Sequence, residues 1–150
     1  MTWRWPCVKL PMIALDTNIL ARFYVDDPAD AESAKQRPIA HRLLTQTKPV
    51  FVPLTVLLEL EWLLRAFYGF AAGDFVRVVR HLLGLANVTV EEWARVTDAL
   101  ALHKEGLDFA DALHLLASSG CTEFVTFDDK RFARRAKRLG LMPVVEVPVH

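Results

Sequence analysis

Short apolar runs that end at an acidic residue constrain this chain more than any other feature. Ile13-Ala14-Leu15 runs into Asp16, and near the other end Phe124-Val125-Thr126 leads to Asp128. Runs this short, bounded by polar residues, read as buried strands. Val50-Phe51-Val52 reads as another, and Val144 to Val147 as the last. Helical periodicity fills the intervals. It follows Asp16-Thr17-Asn18, resumes after the polar Asp26 to Asp30 with a restart or kink expected at Pro38, and carries Val56 to Leu64 behind a Thr55 cap. Further helical stretches run from Asp74 to Leu85, from Glu91 to His103, onward from Asp108, and from Lys130 to Leu139. Strands alternating with helices predict an α/β fold with a mainly parallel sheet. Ligands bind at the carboxyl ends of parallel strands, so Asp16 and Asp128 become candidates for one site.

Composition narrows the class. With 150 residues, 53% hydrophobic and 24% charged, the chain suits one globular domain and is too apolar for disorder. No apolar run approaches the roughly 18 residues that a membrane span requires. Residues 1–11 lack the continuous apolar segment of a secretory signal. Cys7 and Cys121 stand in no metal-ligand or disulfide-framework spacing, which fits a reducing cytoplasm. Basic and acidic residues balance at 18 each, so any contact with a polyanion must come from local patches.

The acids can be weighed one by one. Asp16 serves equally well as a helix N-cap or as a ligand. Glu59 interrupts a strongly apolar helix and shares a face with Val56, Trp62 and Leu63 by helical spacing. An unpaired acid against an apolar face is costly unless it binds something, which favours a functional role for Glu59. Asp108 and Asp111 open a helix together; capping accounts for Asp108, while local chemistry leaves Asp111 open. Either Asp128 or Asp129 is expected to cap the basic helix that follows. His114, one turn beyond Asp111, reads as a packing residue.

Taken in order, Asp16-Thr17-Asn18, Glu59 in its apolar helix, Asp108-Phe109-Ala110-Asp111-Ala112-Leu113-His114 and Thr126-Phe127-Asp128 resemble the PIN-domain ribonucleases, and within them the VapC-type toxins of toxin–antitoxin pairs. The resemblance runs from Met12 to about Val147. It implies a three-layer α/β/α sandwich and RNA cleavage dependent on Mg²⁺ or Mn²⁺. By motif, Asp16, Glu59, Asp111 and Asp128 become the catalytic and metal-binding acids. Asn18 matches a position that orients the first acid or the substrate, and Thr126 a hydroxyl beside the site. A homodimer and a small antitoxin partner are also implied. The chain departs from the family pattern in having eleven residues before Met12, an extension or a misassigned start; residues 12–150 form the single nuclease domain.

Hard divalent cations held by oxygen ligands activate water and stabilise the attacking and leaving oxygens of a phosphodiester. Mg²⁺ takes only one or two protein carboxylates directly, and Asp16 and Asp111 are the first candidates. After Asp128, Arg131, Arg134, Arg135 and Arg138 recur at helical spacing as one stripe, expected to follow RNA phosphates. Two other readings compete: a catalytically silent PIN-like module that binds RNA or protein, and another Mg²⁺-dependent phosphoryl-transfer enzyme. A haloacid-dehalogenase-like phosphatase needs D-x-D at the first strand, where Asn18 stands, and no GxxxxGK[ST] loop is present.

Overall fold

A computed structural model describes residues 12–149, so the expectation about residues 1–11 lies outside the described residues. The chain divides into two compact units. The first takes residues up to Leu63 together with Arg80–Glu91, and the second takes Leu64–Val79 and residues from Glu92 onward.

In the first unit, β1 (Ile13–Ala14), β2 (Val50–Val52) and β3 (Val88–Val90) form a parallel sheet in the order β1-β2-β3. Ile13 lies opposite Val50, and Val50 opposite Val88. Bonds at the strand ends extend the pairing: Leu15 N–H donates to the Phe51 carbonyl at 3.1 Å and Glu91 N–H to the Val52 carbonyl at 3.0 Å. Helix α1 (Thr17–Tyr24) follows β1 and packs on α2 (Ala31–Thr45), while α3 (Leu54–Trp62) follows β2. Leu15, Leu20, Leu44, Val50, Val52, Leu57 and Leu60 are buried.

Two local expectations need correction here. Helix α2 runs through Pro38 without a restart. A proline removes one backbone donor, but Asp30 caps the helix start, and Ala40 and Leu44 beyond the proline are buried and hold its far end. Thr55 is not the cap of α3; Pro53 takes that position, and the Leu54 N–H is satisfied by the Glu91 carboxylate at 3.1 Å. Strand β3 lies between two stretches read as helical, where the sequence predicts no element.

Helix α4 (Ala72–Gly84) leads from the second unit into the first. The second unit continues with α5 (Trp93–Lys104), α6 (Phe109–Ala117), β4 (Glu123–Val125), α7 (Arg134–Arg138) and β5 (Val144–Glu146). Strands β4 and β5 pair in parallel, with Phe124 opposite Val145, and Thr126 N–H continues the ladder to the Glu146 carbonyl at 3.0 Å. Phe75 and Phe109 meet edge to face, with ring centroids 5.0 Å apart, among buried Val96, Leu100, Leu107 and Leu115. Every strand pairing described is parallel and helices connect the strands, so the α/β class expected from the sequence is the class observed. Two π-helical turns break the α-helical pattern: Leu63–Phe67 after α3, and Asp129–Ala133 before α7.

Candidate active site

Asp16, Asn18 and Glu59 belong to the first unit. Asp16 stands at the N-cap of α1, its Oδ1 accepting the Thr17 N–H at 2.8 Å, and both Asp16 and Asn18 are exposed. Glu59 is exposed as well. Helix α3 buries the stripe of Leu57 and Leu60, while Trp62 on the Glu59 side is 62% exposed. Helical rotation of about 100° per residue carries position 59 away from that stripe. Glu59 therefore meets water and pays no burial cost, and it remains a candidate only through its place in the order of motifs.

The second unit holds a cavity of about 820 Å³. Asp108, Asp111 and Asp128 line it, and so do Arg65, Arg131, Arg135 and Arg138. Asp111 projects from the first turn of α6, where the partial positive charge of the helix N-terminus favours an anion. Asp108 occupies the N-cap position of that helix, yet its side chain makes no capping hydrogen bond. Capping does not account for Asp108 after all. Asp128 reaches the cavity from the turn after β4. There its N–H donates to Thr126 Oγ1 at 3.1 Å, and its Oδ1 accepts the Arg131 N–H at 2.9 Å. Thr126 thus shapes the turn that presents Asp128. Of the expected acid pair, Asp128 is the cap.

Electrostatics single out Asp111. Burial, reinforced by the neighbouring negative charges of Asp108 and Asp128, raises its pKa to about 6 despite opposing help from His114 and Arg135. A carboxylate raised by burial and by neighbouring like charge is poised to gain from a cation.

The arginine stripe does not stay together. In the π-helical turn, Ala133 N–H reaches back five residues to the Asp128 carbonyl, and Arg134 N–H to that of Asp129. The wider turn shifts the phase of everything after it. Arg131, Arg135 and Arg138 line the cavity, whereas Arg134 turns to Asp129 at 2.7 Å and lines a different one. The structure adds residues that the sequence pattern did not single out. Arg65 arrives from the first π-helical turn, and Gly106 accepts Arg135 Nη1 at its carbonyl, at 2.9 Å. Gly106 adopts φ +104, a conformation that L side chains rarely take. Buried His103 receives Arg65 Nη1 at Nε2 (3.4 Å) and donates from Nδ1 to the Leu107 carbonyl at 2.8 Å. The paired acids at 108 and 111 were the one visible signal for this cluster; contacts of 29 and 38 residues' separation leave none.

Among the described residues, no three His, Cys, Asp or Glu side chains are grouped closely enough to hold a metal ion as they stand. Asp111 and Asp128 nonetheless suit a hard cation such as Mg²⁺, which needs only one or two protein carboxylates and keeps its remaining waters. Asp111 gains charge stabilisation from such a cation, and Asp128 has Oδ2 in addition to the capping Oδ1. A family model described as PIN domain matches residues 13–138. No curated protein matches the chain.

Proposed function

The chain belongs to the PIN-domain family, whose members are in general metal-dependent nucleases, and on that premise we propose that it is an endoribonuclease using Mg²⁺ or Mn²⁺, the VapC-type toxin of a toxin–antitoxin pair. The observation that carries the reading is one cavity in which Asp111 and Asp128 stand among Arg131, Arg135 and Arg138. Hard oxygen ligands beside guanidinium groups suit a phosphodiester backbone, which needs a cation at the reacting phosphate and positive charge along its neighbours.

When bound, the divalent ion supplies an acidified water and neutralises charge developing on the phosphate. Asp111 and Asp128 would hold it. Asp16 and Glu59 serve the same reaction as ligands or as groups that orient water, with Asn18 aligning Asp16 or the substrate. Arg131, Arg135 and Arg138 bind phosphates without reading sequence, because a guanidinium fork fits phosphate oxygens and no base edge is needed. The protein works in the cytoplasm as a homodimer, and a small antitoxin blocks its site. No helix among the described residues is long and apolar enough to cross a membrane.

A silent RNA- or protein-binding module is the second reading, favoured by the lack of a ready three-ligand group among the described residues. One experiment separates the two. The purified chain, free of any partner, is incubated with single-stranded and structured RNAs in Mg²⁺, Mn²⁺ or chelator. Cleavage that chelation stops is expected; RNA that is bound but left intact under every condition would establish the silent module.

A further inference from the structure

Helix α5 ends in a turn that its own backbone closes. Gly106 N–H donates to the His103 carbonyl at 3.1 Å and Leu107 N–H to the Leu102 carbonyl at 3.2 Å, with Gly106 at φ +104. This is the Schellman pattern, which needs a residue that accepts positive φ just past the helix end. Buried His103 adds a bond from Nδ1 to the Leu107 carbonyl at 2.8 Å; a carbonyl oxygen only accepts, so the ring donates. All of these bonds stay inside the turn. The Gly106 carbonyl does not: it accepts Arg135 Nη1 at 2.9 Å, from 29 residues further along the chain.

That bond joins the carriers of the acids. Two residues after Gly106, Asp108 opens α6, and Asp111 lies in the first turn. Arg135 belongs to α7, which follows Asp128 through the π-helical turn. Among the described residues, it is the one side-chain hydrogen bond between these two segments. Gly106, Arg135, Asp108, Asp111 and Asp128 all line the same cavity, so the bond lies at the site whose spacing it sets. Arg138, one turn on, lies against the glycine as well: a Cβ at position 106 would stand 3.6 Å from its Nη2. Arg135 is half-buried, and the bond uses one of its several N–H groups, so donors remain for a phosphate.

We propose that Arg135 is a positioning residue of the ion site: through the Gly106 carbonyl it holds the start of α6, with Asp111, at a fixed distance from the turn that carries Asp128. This rests on the metal-dependent ribonuclease reading above and gives one arginine of the basic edge a second task.

The test measures the Mg²⁺ and Mn²⁺ affinity of the full chain by calorimetry without RNA, so that phosphate contacts play no part. It is done at pH 8, above the value of about 6 for Asp111, so that protons compete little. Arg135→Gln should bind either ion about tenfold more weakly, within the range for loss of a group that orients metal ligands. On charge alone the sign is opposite, because removing a cation from beside the acids favours another cation. Arg131→Gln removes the same charge from the same cavity and no bond to Gly106, so its ion affinity should equal or exceed that of the wild type. Arg135→Lys, which keeps the charge and a donor, should recover part of the loss. Gly106→Ala, which forces a side chain onto φ +104, should also weaken ion binding, and the double variant with Arg135→Gln should lose less than the two losses combined. If Gly106→Ala does not fold, the arginine variants decide alone. Wild-type or tighter affinity in Arg135→Gln, even with a lowered melting point, would make the bond a contact of the fold only and overturn the inference, while ion binding and RNA cleavage by the wild type still stood. Wild-type protein that binds neither ion at millimolar concentration would overturn this inference and the metal-dependent reading together.

Discussion

Asp16 and Asp111 both stand in the opening of a helix, one in each unit, and their surroundings are opposite. Asp16 is exposed and bonded to the backbone of its own helix. Asp111 is half-buried, faces two other carboxylates, and is pushed up to about 6. Residue type and helix position are nearly the same, so the difference comes from what the rest of each unit brings near. A carboxylate that caps gives stability to the fold. A carboxylate crowded by like charge takes stability from the metal-free fold and returns it when a cation arrives.

Asparagine at each position gives the sharpest test of that contrast. Asp111→Asn should lower RNA cleavage by roughly two to four orders of magnitude, the range usual for loss of a catalytic group. The metal-free protein should melt at the same temperature or higher at pH 7.5. Asp16→Asn should lower cleavage comparably and leave melting almost unchanged, since Asn caps a helix about as well as Asp. Full activity in Asp16→Asn would confine the chemistry to the second unit and break the proposed four-acid assignment.

Acidity offers a finer test. The folded Asp111 carboxyl holds its proton more tightly than the unfolded chain does, with a value of about 6 against 3.8. The stability it contributes is therefore complete below about pH 4 and is lost as pH rises through 6. Asp30, lowered mainly by its hydrogen bond with Ser33, acts in the other direction, as does Asp74, lowered mainly by the Ala71 N–H. Their contributions are present above pH 3.8 and disappear as pH falls through their depressed values. In chelator, the melting temperature of wild type relative to Asp111→Asn should thus fall between pH 4 and pH 6.5. A constant difference across that interval would mean that burial and like charge do not raise the Asp111 carboxyl.

The smallest effect belongs to the first unit. Glu91→Ala deletes the acceptor for Leu54 N–H and should destabilise the protein by about 0.5–1 kcal/mol, in the range of a lost helix cap. For a chain of this size that is a shift of ~2–4 °C at most, read by thermal melting, with cleavage unchanged. A larger loss would mean that the start of α3 is held by Glu91 alone.

What could be read from the sequence follows the range of the interaction that decides it. Four of the five strands among the described residues were legible, because Ile13, Val50, Phe124 and Val144 each open an apolar run with polar boundaries. Val88–Val90 was not, since a three-residue strand joined directly to a helix shows no period of its own. The Asp16 cap needed only its neighbour and was visible. The cap of α3 comes from Glu91, 37 residues away, and was not. Glu59 was not legible as a surface residue, because apolar neighbours in sequence do not make a buried face, and Trp62 is mostly exposed. Asp111 and Asp128 were legible as motif residues, but their crowding with Asp108 needed the loop at Gly106, whose positive φ no pattern of apolar residues announces.

A π-helical turn can be thought of as an α-helix carrying one residue more than its hydrogen bonds require. Each residue turns the chain by about 100°, so removing one from Asp129–Ala133 would rotate the following basic segment by more than a quarter turn against what precedes it. Its composition, charge and helical propensity would barely change. Arg135 and Arg138 would then present different faces, although every arginine was still there. For this surface, the spacing of the chain is a functional variable in its own right, and a change of length by one residue would act as strongly as a change of charge.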